Sequence, residues 1–540
     1  MRSSWSLSRW LLLLLVLVLF LPVVAVMGSI LPWGPAATHS FALLAEMAQT
    51  VLPAYMLTTL QLCLGVALGV LVVGLLTACV VTLFDFPGRQ YFEWALLLPL
   101  AMPAYVLAYA YTDFLQYSGP LQVWLRQVSG LEGRMMPEVR SVGGAVCIFT
   151  FTLYPYVYLL ARTALGERAS HLMEAARLMG APLRRRLLEV ALPLARPAVA
   201  AGMALALMET LADFGVASYF GIQTFTSGIY KAWLAMDDRI AAAQLATMLL
   251  MWVALLLGLE HRAQKRMRFA VTKGDRSGSL EARTVRLHGR GAWVAIMVCT
   301  VPILLGFVLP VMFMLRPLWL EWTDLPWSRF AGWAFHSIKL AGITALLAVA
   351  MALALAFGVR RSTHWMPHLA AKLASLGYAI PGAVVVIGLL LPVAWLQQYL
   401  PQLQAGYWIT ATMLGVVWAY MVRFCAVALQ SLQSGYSRIP ASMDDSARML
   451  GATDAEILIQ IHWPMLRRST FAALLLVFVD TMKELPATLV LRPFNSDTLA
   501  VVAYQLARDE RLGEAALPSL ALVLVGLLPV ILLNRNLRRK

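Results

Sequence analysis

The strongest constraint on this chain is its series of uncharged apolar runs. Each is roughly 18 to 25 residues long, enough for a helix to cross a hydrocarbon core about 30 Å thick. Residues 60–84, LQLCLGVALGVLVVGLLTACVVTLF, are one example. In lipid the backbone must satisfy its own N–H and C=O groups, so runs of this length are read as helices. Only 13% of the 540 residues are charged, about half the fraction in a soluble domain. An ordinary soluble globular protein is excluded, and the chain reads as an all-α polytopic membrane protein. About 12 transmembrane helices are expected, near 9–30, 55–83, 94–113, 142–163, 198–219, 241–259, 291–315, 334–358, 373–397, 406–422, 469–491 and 514–534.

The formal net charge of +15 first suggests nucleic acid. Membrane topology explains it better. With the N-terminus inside, about 31 Lys and Arg fall in cytoplasmic segments and about 10 in external ones, as the positive-inside rule requires. The basic loop 260–290, with HRAQKRMRF, and the tail NRNLRRK both fall inside. The expected surroundings are therefore lipid, with no nucleic-acid partner. The first apolar run, about 17 residues or more, exceeds the usual core of a cleavable signal, so an uncleaved first helix is expected. Cys63, Cys79, Cys147, Cys299 and Cys425 lie in apolar segments without paired spacing and read as small core residues.

The chain repeats itself. Gly180 and Gly451 stand 271 residues apart, and so do Pro193 and Pro464. METLADFG from Met208 aligns with VDTMKELP from Val479 at the same offset, which pairs Glu209 with Asp480. Upstream, LAMPAYVLAYAY and YAIPGAVVVIGL align through Pro103 and Pro381, at a spacing seven residues larger. The expected organisation is two tandem six-helix halves of one topology, 1–271 and 291–540, joined by a basic linker at 272–290. An even helix count makes the repeat parallel.

Each half keeps one polar, helical loop in an apolar chain. The first, near 168–193, reads as a short amphipathic helix, a break at Gly180, and a second helix opened by Pro182 and ended by Pro193. The second, near 439–464, has its break at Gly451, a capping box from Thr453 and Glu456, and a close at Pro464. One such loop is as easily an interfacial amphipathic element. Two copies at matched positions favour a two-fold partner that grips both.

The run Glu174, Ala175, Ala176, Gly180, Leu192, Pro193 resembles the signature loop of permease subunits in binding-protein-dependent ABC importers. The second copy reads Asp445, Ser446, Ala447, Gly451, Pro464, with Trp463 where Leu is usual. The fused two-half format and the segments METLADFGVASYFGIQTFTSGIYKAW and DTMKELPATLVLRPFNSDTLA are most similar to the ferric-iron importer permeases. The resemblance implies a type I importer permease in a bacterial inner membrane, with both termini cytoplasmic. It implies coupling helices seated on a dimer of cytoplasmic ABC ATPase subunits and an external substrate-binding protein that delivers ferric iron. This chain has no G-x-x-x-x-G-K-[ST] phosphate loop. It is therefore expected to be no enzyme and to bind no cofactor, with ATP used by the partner ATPase.

Ionisable groups at membrane depth usually face a cavity, a partner or a pathway. Glu209 and Asp213, four apart, are expected on one helical face, with Asp480, Lys483 and Glu484 in the matching helix of the second half. They are candidates for lining a translocation pathway, against a structural reading in which Lys483 neutralises a carboxylate. His364 and His368 have a two-ligand spacing, but Pro367 between them argues against a metal site. Gly65 and Gly69 fit close helix packing. Importers of thiamine, sulfate or phosphonate, and an ion-driven secondary transporter, are the alternative readings.

Overall fold

A computed structural model describes residues 2–28, 36–166, 170–269, 285–323, 325–362 and 364–537. The linker at 272–284 and the start of the first loop at 168–169 lie outside the described residues.

The described residues are mainly helical, and the one strand pairing among them is a two-residue parallel pairing of Phe84–Asp85 with Val285–Arg286. Among the described residues, ten helices are long and apolar enough to cross a membrane. An eleventh span forms if Arg89–Ala101 and Ala104–Ser129, bent by 89° at the break before Ala104, are one element. The break falls at Pro103, which caps the second piece in extended conformation. Pro381 does the same for Gly382–Tyr399. The remaining expected span, 469–491, corresponds to Trp463–Lys483, a helix of the same 21-residue length as Leu192–Ala212. Arg467, Arg468, Asp480 and Lys483 interrupt its apolar character.

Packing divides the chain into two compact units. One comprises Met1–Met47, Gly228–Leu250 and Pro326–Val502. In it the first helix, Arg2–Gly28, packs along Trp365–Leu376 and Gly382–Tyr399. The approach is close: a Cβ on Gly388 would stand 2.0 Å from the Pro22 carbonyl oxygen, so only glycine fits there. The first helix of the sequence is thus packed by helices of the second tandem repeat.

The other unit comprises Ala48–Ser227, Met251–Leu325 and Ala503–Lys540. Its core is the pairing of Leu52–Leu83 with Val142–Ala164. The glycine expectation is met here. A Cβ on Gly69 would lie 2.1 Å from Thr150 Oγ1, and one on Gly65 2.7 Å from Val146. Small residues let these helices approach where lipid supplies no hydrophobic drive between them. Cys63, Cys299 and Cys425 are buried as expected, whereas Cys147 is exposed on its helix. A half-apolar environment needs only one covered face per helix.

Candidate functional site

The two polar loops are built alike, element by element. Ser170–Leu178 recurs as Ala441–Met449, Leu183–Arg185 as Asp454–Glu456, and Arg186–Ala191 as Ile457–His462. The span Leu192–Ala212 recurs as Trp463–Lys483, and Gly215–Phe220 as Pro486–Leu491. Every pair is offset by the same 271 residues that separate Gly180 from Gly451.

The glycines close the first helix of each loop. Gly180 and Gly451 have φ of 81° and 86°, the left-handed region that costs glycine nothing. Ala181 N–H donates to the Ala176 carbonyl at 3.0 Å and Gly180 N–H to the Arg177 carbonyl at 2.9 Å. Ala452 to Ala447 and Gly451 to Arg448 repeat this, both at 3.0 Å. This double closure is a Schellman motif. It turns Ala176 and Ala447 inward, and both are buried while Ala175 and Ser446 are exposed. Glu174 pairs with Arg177 at 3.8 Å and Asp445 with Arg448 at 3.3 Å. The change from Glu-Ala-Ala to Asp-Ser-Ala therefore keeps both the one-turn ion pair and the buried alanine.

The second helix starts differently in the two loops. Pro182 caps the first by its own extended geometry, without a side-chain hydrogen bond. Thr453 caps the second in the expected capping box. Its N–H donates to Glu456 Oε2 at 2.6 Å, and Glu456 N–H donates to Thr453 Oγ1 at 3.4 Å. The backbone bond from Thr453 holds the Glu456 carboxyl below its ordinary value.

Pro193 and Pro464 do not end these helices. Leu183–Ala212 is one 30-residue helical span. The turns before each proline, Arg186–Ala191 and Ile457–His462, widen to π-helical bonding. Proline removes an N–H and crowds the carbonyl one turn back. A π-turn shifts the bonding by one residue and lets the helix run on. The same device precedes Pro310, after Leu304–Val308. The loop is thus joined stiffly to the span that follows it.

The loops are seated by opposite chemistry. In the first, Leu165, Met173 and Ala191 are buried and apolar. At the 271-residue offset the second has Tyr436, Asp444 and His462. Arg360 Nε donates to Asp444 Oδ2 at 2.9 Å, and its Nη1 and Nη2 donate to the carbonyls of Ile439 and Pro440 at 2.8 and 3.0 Å. His462 Nε2 lies 3.0 Å from Asp444 Oδ1, and its Nδ1 3.4 Å from the Tyr436 hydroxyl. Burial alone would raise the Asp444 pKa, but the bonds from Arg360 and His462 outweigh it and hold the carboxyl below its usual range. Arg361 adds an ion pair to Asp454.

The residues most exposed at the loop tips were not singled out in the sequence. Leu178 and Met179 are 82% and 81% exposed, and Met449 and Leu450 are each 89% exposed. The legible signal was the apolar pair that precedes both glycines. Large apolar side chains at these exposures stand out on otherwise polar loops.

The intramembrane charges separate into two kinds. Glu209 and Asp213 do not share a helical face, because the helix ends at Ala212 and Asp213 is already extended. Asp213 Oδ1 instead accepts from Val216 N–H at 2.8 Å, at the start of Gly215–Phe220. Glu484 stands likewise beyond Lys483, extended, and accepts from Ala487 N–H at 3.1 Å and from Thr488 N–H at 3.2 Å. Each carboxylate bridges a helix break, because the next helix offers orphan N–H groups. Their partners differ. Arg423 Nη1 donates to Glu484 Oε1 at 2.9 Å, with both side chains buried. At the 271-residue offset Arg423 corresponds to Thr152, and among the described residues no Lys or Arg pairs with Asp213. Glu209, Asp480 and Lys483 are half-buried.

His364 caps Trp365–Leu376, its Nδ1 accepting from Met366 N–H at 3.4 Å. His368 Nδ1 lies 3.0 Å from the His364 carbonyl. Pro367 sits in the first turn of that helix, where the missing N–H costs nothing.

Comparison with known proteins agrees with this architecture. Residues 70–268 match the family described as binding-protein-dependent transport system inner membrane component. The chain is 24% identical over 487 residues, 88% of each chain, to the Fe(3+)-transport system permease protein FbpB 2 of Haemophilus influenzae. It is 31% identical over 144 residues to the sulfate transport system permease protein CysT of Escherichia coli, covering 27% of this chain and 50% of that one.

Proposed function

We propose that this chain, an ABC-importer permease by family resemblance and by fold, moves ferric iron across a bacterial inner membrane. The iron is delivered by an external binding protein. Transport is driven by a dimer of cytoplasmic ATPase subunits, and both chain termini lie on the ATPase side. The permease itself is the non-enzymatic transport subunit.

The observation that carries the coupling role is the duplicated loop. Two helix–turn–helix units, identical in backbone design, each present an exposed apolar pair ahead of a left-handed glycine. An ATPase dimer has two equivalent docking grooves, and two equivalent knobs fit it. The π-turn joins each knob without a hinge to a membrane span, so a push on the loop moves the span. Glu174, Ala175, Ala176, Gly180, Leu192 and Pro193, with Asp445, Ser446, Ala447, Gly451 and Pro464, build the knobs. Leu178, Met179, Met449 and Leu450 make the contact. Glu209, Asp213, Asp480, Lys483 and Glu484 are the proposed pathway charges. The ferric-iron assignment is supported by similarity to the Haemophilus permease over most of both chains.

The test is uptake of radioactive iron by cells carrying the whole importer. Leu178→Glu with Met179→Glu should abolish uptake and free the ATPase from the membrane while the permease still inserts. Normal uptake in that variant rules out the coupling role, and uptake without any ATPase subunit points to an ion-driven carrier instead.

A further inference from the structure

One cluster of oxygen side chains in the second of the two units is used by neither loop. Tyr109, on Ala104–Leu115, is 3% exposed, and its hydroxyl has no hydrogen-bond partner among the described residues. Its ring meets Tyr219 edge-on, with centroids 4.7 Å apart. Tyr504 approaches through its hydroxyl, 2.7 Å from Ser218 Oγ, and its ring stands 5.8 Å from Phe214, next to Asp213. Tyr109 is within electrostatic reach of Asp213 and Tyr504, and Tyr219 of Asp113. Tyr109 and Asp113 also line a cavity of about 10 Å³, room for one water-sized occupant.

The fold does not require this chemistry. At the repeat offset that pairs Pro103 with Pro381, Tyr109 corresponds to Ile387, and at the 271-residue offset Tyr219 corresponds to Val490. A buried phenol without a partner costs about 1–3 kcal/mol, and isoleucine serves in the same place of the repeat. The second half places its buried carboxylate in the Arg423–Glu484 pair, whereas among the described residues no Lys or Arg pairs with the Asp213 carboxyl.

We propose that Tyr109, Asp213, Tyr219 and Tyr504, with Asp113 beside them, form a transient station for a hard, highly charged cation. This deepens the ferric-iron reading and rests on it. Hard cations prefer oxygen donors, and phenolate and carboxylate oxygens suit ferric iron best among side chains. A ferric ion in water carries hydroxide. On arrival the Fe–OH bond is replaced by an Fe–O bond to the Tyr109 phenol. The phenol proton leaves with the hydroxide as water, and the iron stays ferric throughout. Arg140, which donates to the Tyr219 hydroxyl at 3.3 Å and pairs with Glu510 at 3.6 Å, positions that phenol at the cluster edge.

The test uses the full chain in lipid nanodiscs, titrated with ferric nitrilotriacetate and read by the visible phenolate-to-iron charge-transfer band. Wild type should give a saturable band. Tyr109→Phe and Asp213→Asn should each weaken it at least ten-fold, and both should lower iron uptake by the whole importer by at least as much. Tyr111→Phe is the control, because that hydroxyl bonds the Leu305 carbonyl, and it should leave both unchanged. No band in wild type, or a band indifferent to Tyr109 and Asp213 (an adventitious ion only), overturns the station. If the wild-type importer still carries iron in that case, the transport reading stands without it. If it carries no iron but another solute, the transport reading fails first.

Discussion

The two polar loops share a backbone and differ in what holds it. Helix ends, the Schellman closure, the π-turn and the following span recur at one offset. Beneath that common surface, Leu165, Met173 and Ala191 seat the first loop by packing. Tyr436, Asp444 and His462 seat the second by a buried polar network anchored on Arg360. The backbone shape at the surface is the part that both halves keep. The seat is internal and is free to diverge, provided its polar groups are all paired.

That contrast breaks most visibly at Asp444. Asp444→Ala removes the carboxylate from Arg360, which keeps only its backbone acceptors, and from His462, and loss of one partner of a buried pair costs about 3–5 kcal/mol. Met173→Ala, at the matched position, loses only packing, about 2 kcal/mol. Thermal unfolding of the full protein, with protease cleavage mapped to each loop, should show the larger loss in the second loop. Equal losses would mean that the network adds nothing beyond packing.

The glycines test the shared part. Gly180→Val and Gly451→Val each force a β-branched residue into left-handed backbone, at about 1–3 kcal/mol. Neither site is crowded, since a Cβ there meets nothing within 4 Å, so the cost is conformational and should be the same in both loops. Iron uptake should fall more than ten-fold in either variant. A variant with normal uptake would show that its loop does not couple. A smaller asymmetry sits at the caps. Thr453→Ala should cost about 1 kcal/mol, and Pro182→Ala about half that, through the unfolded chain; hydrogen exchange of the adjoining turns reads both.

The smallest effect is in pH. The Asp444 carboxyl titrates below its unfolded value of about 3.9, so its stabilisation is complete above that pH and is lost as pH falls through the folded value. Acid should loosen the second loop first, while the apolar seat of the first is unaffected. Loop-specific proteolysis against pH, compared with Asp444→Asn, measures it.

Much of this was legible from residue patterns. Apolar runs gave the spans, a constant offset gave the repeat, and Gly180, Gly451 and the Thr453–Glu456 box gave the turns, because these are local signals. The failures were also physical. Pro193 and Pro464 look like helix ends, since a π-turn leaves no mark in the sequence. Asp213 and Glu484 look like helix-face residues, since four-residue spacing cannot show that the helix has already stopped. Arg423 lies 61 residues from Glu484, and only tertiary packing joins them.

The central claim is that both loops dock on the ATPase dimer. Met179→Cys and Leu450→Cys, introduced singly and cross-linked to the ATPase subunit in the assembled importer, test it most directly. The account predicts that both tips form an adduct with the ATPase subunit in comparable yield. An adduct from only one tip, or from neither, contradicts it.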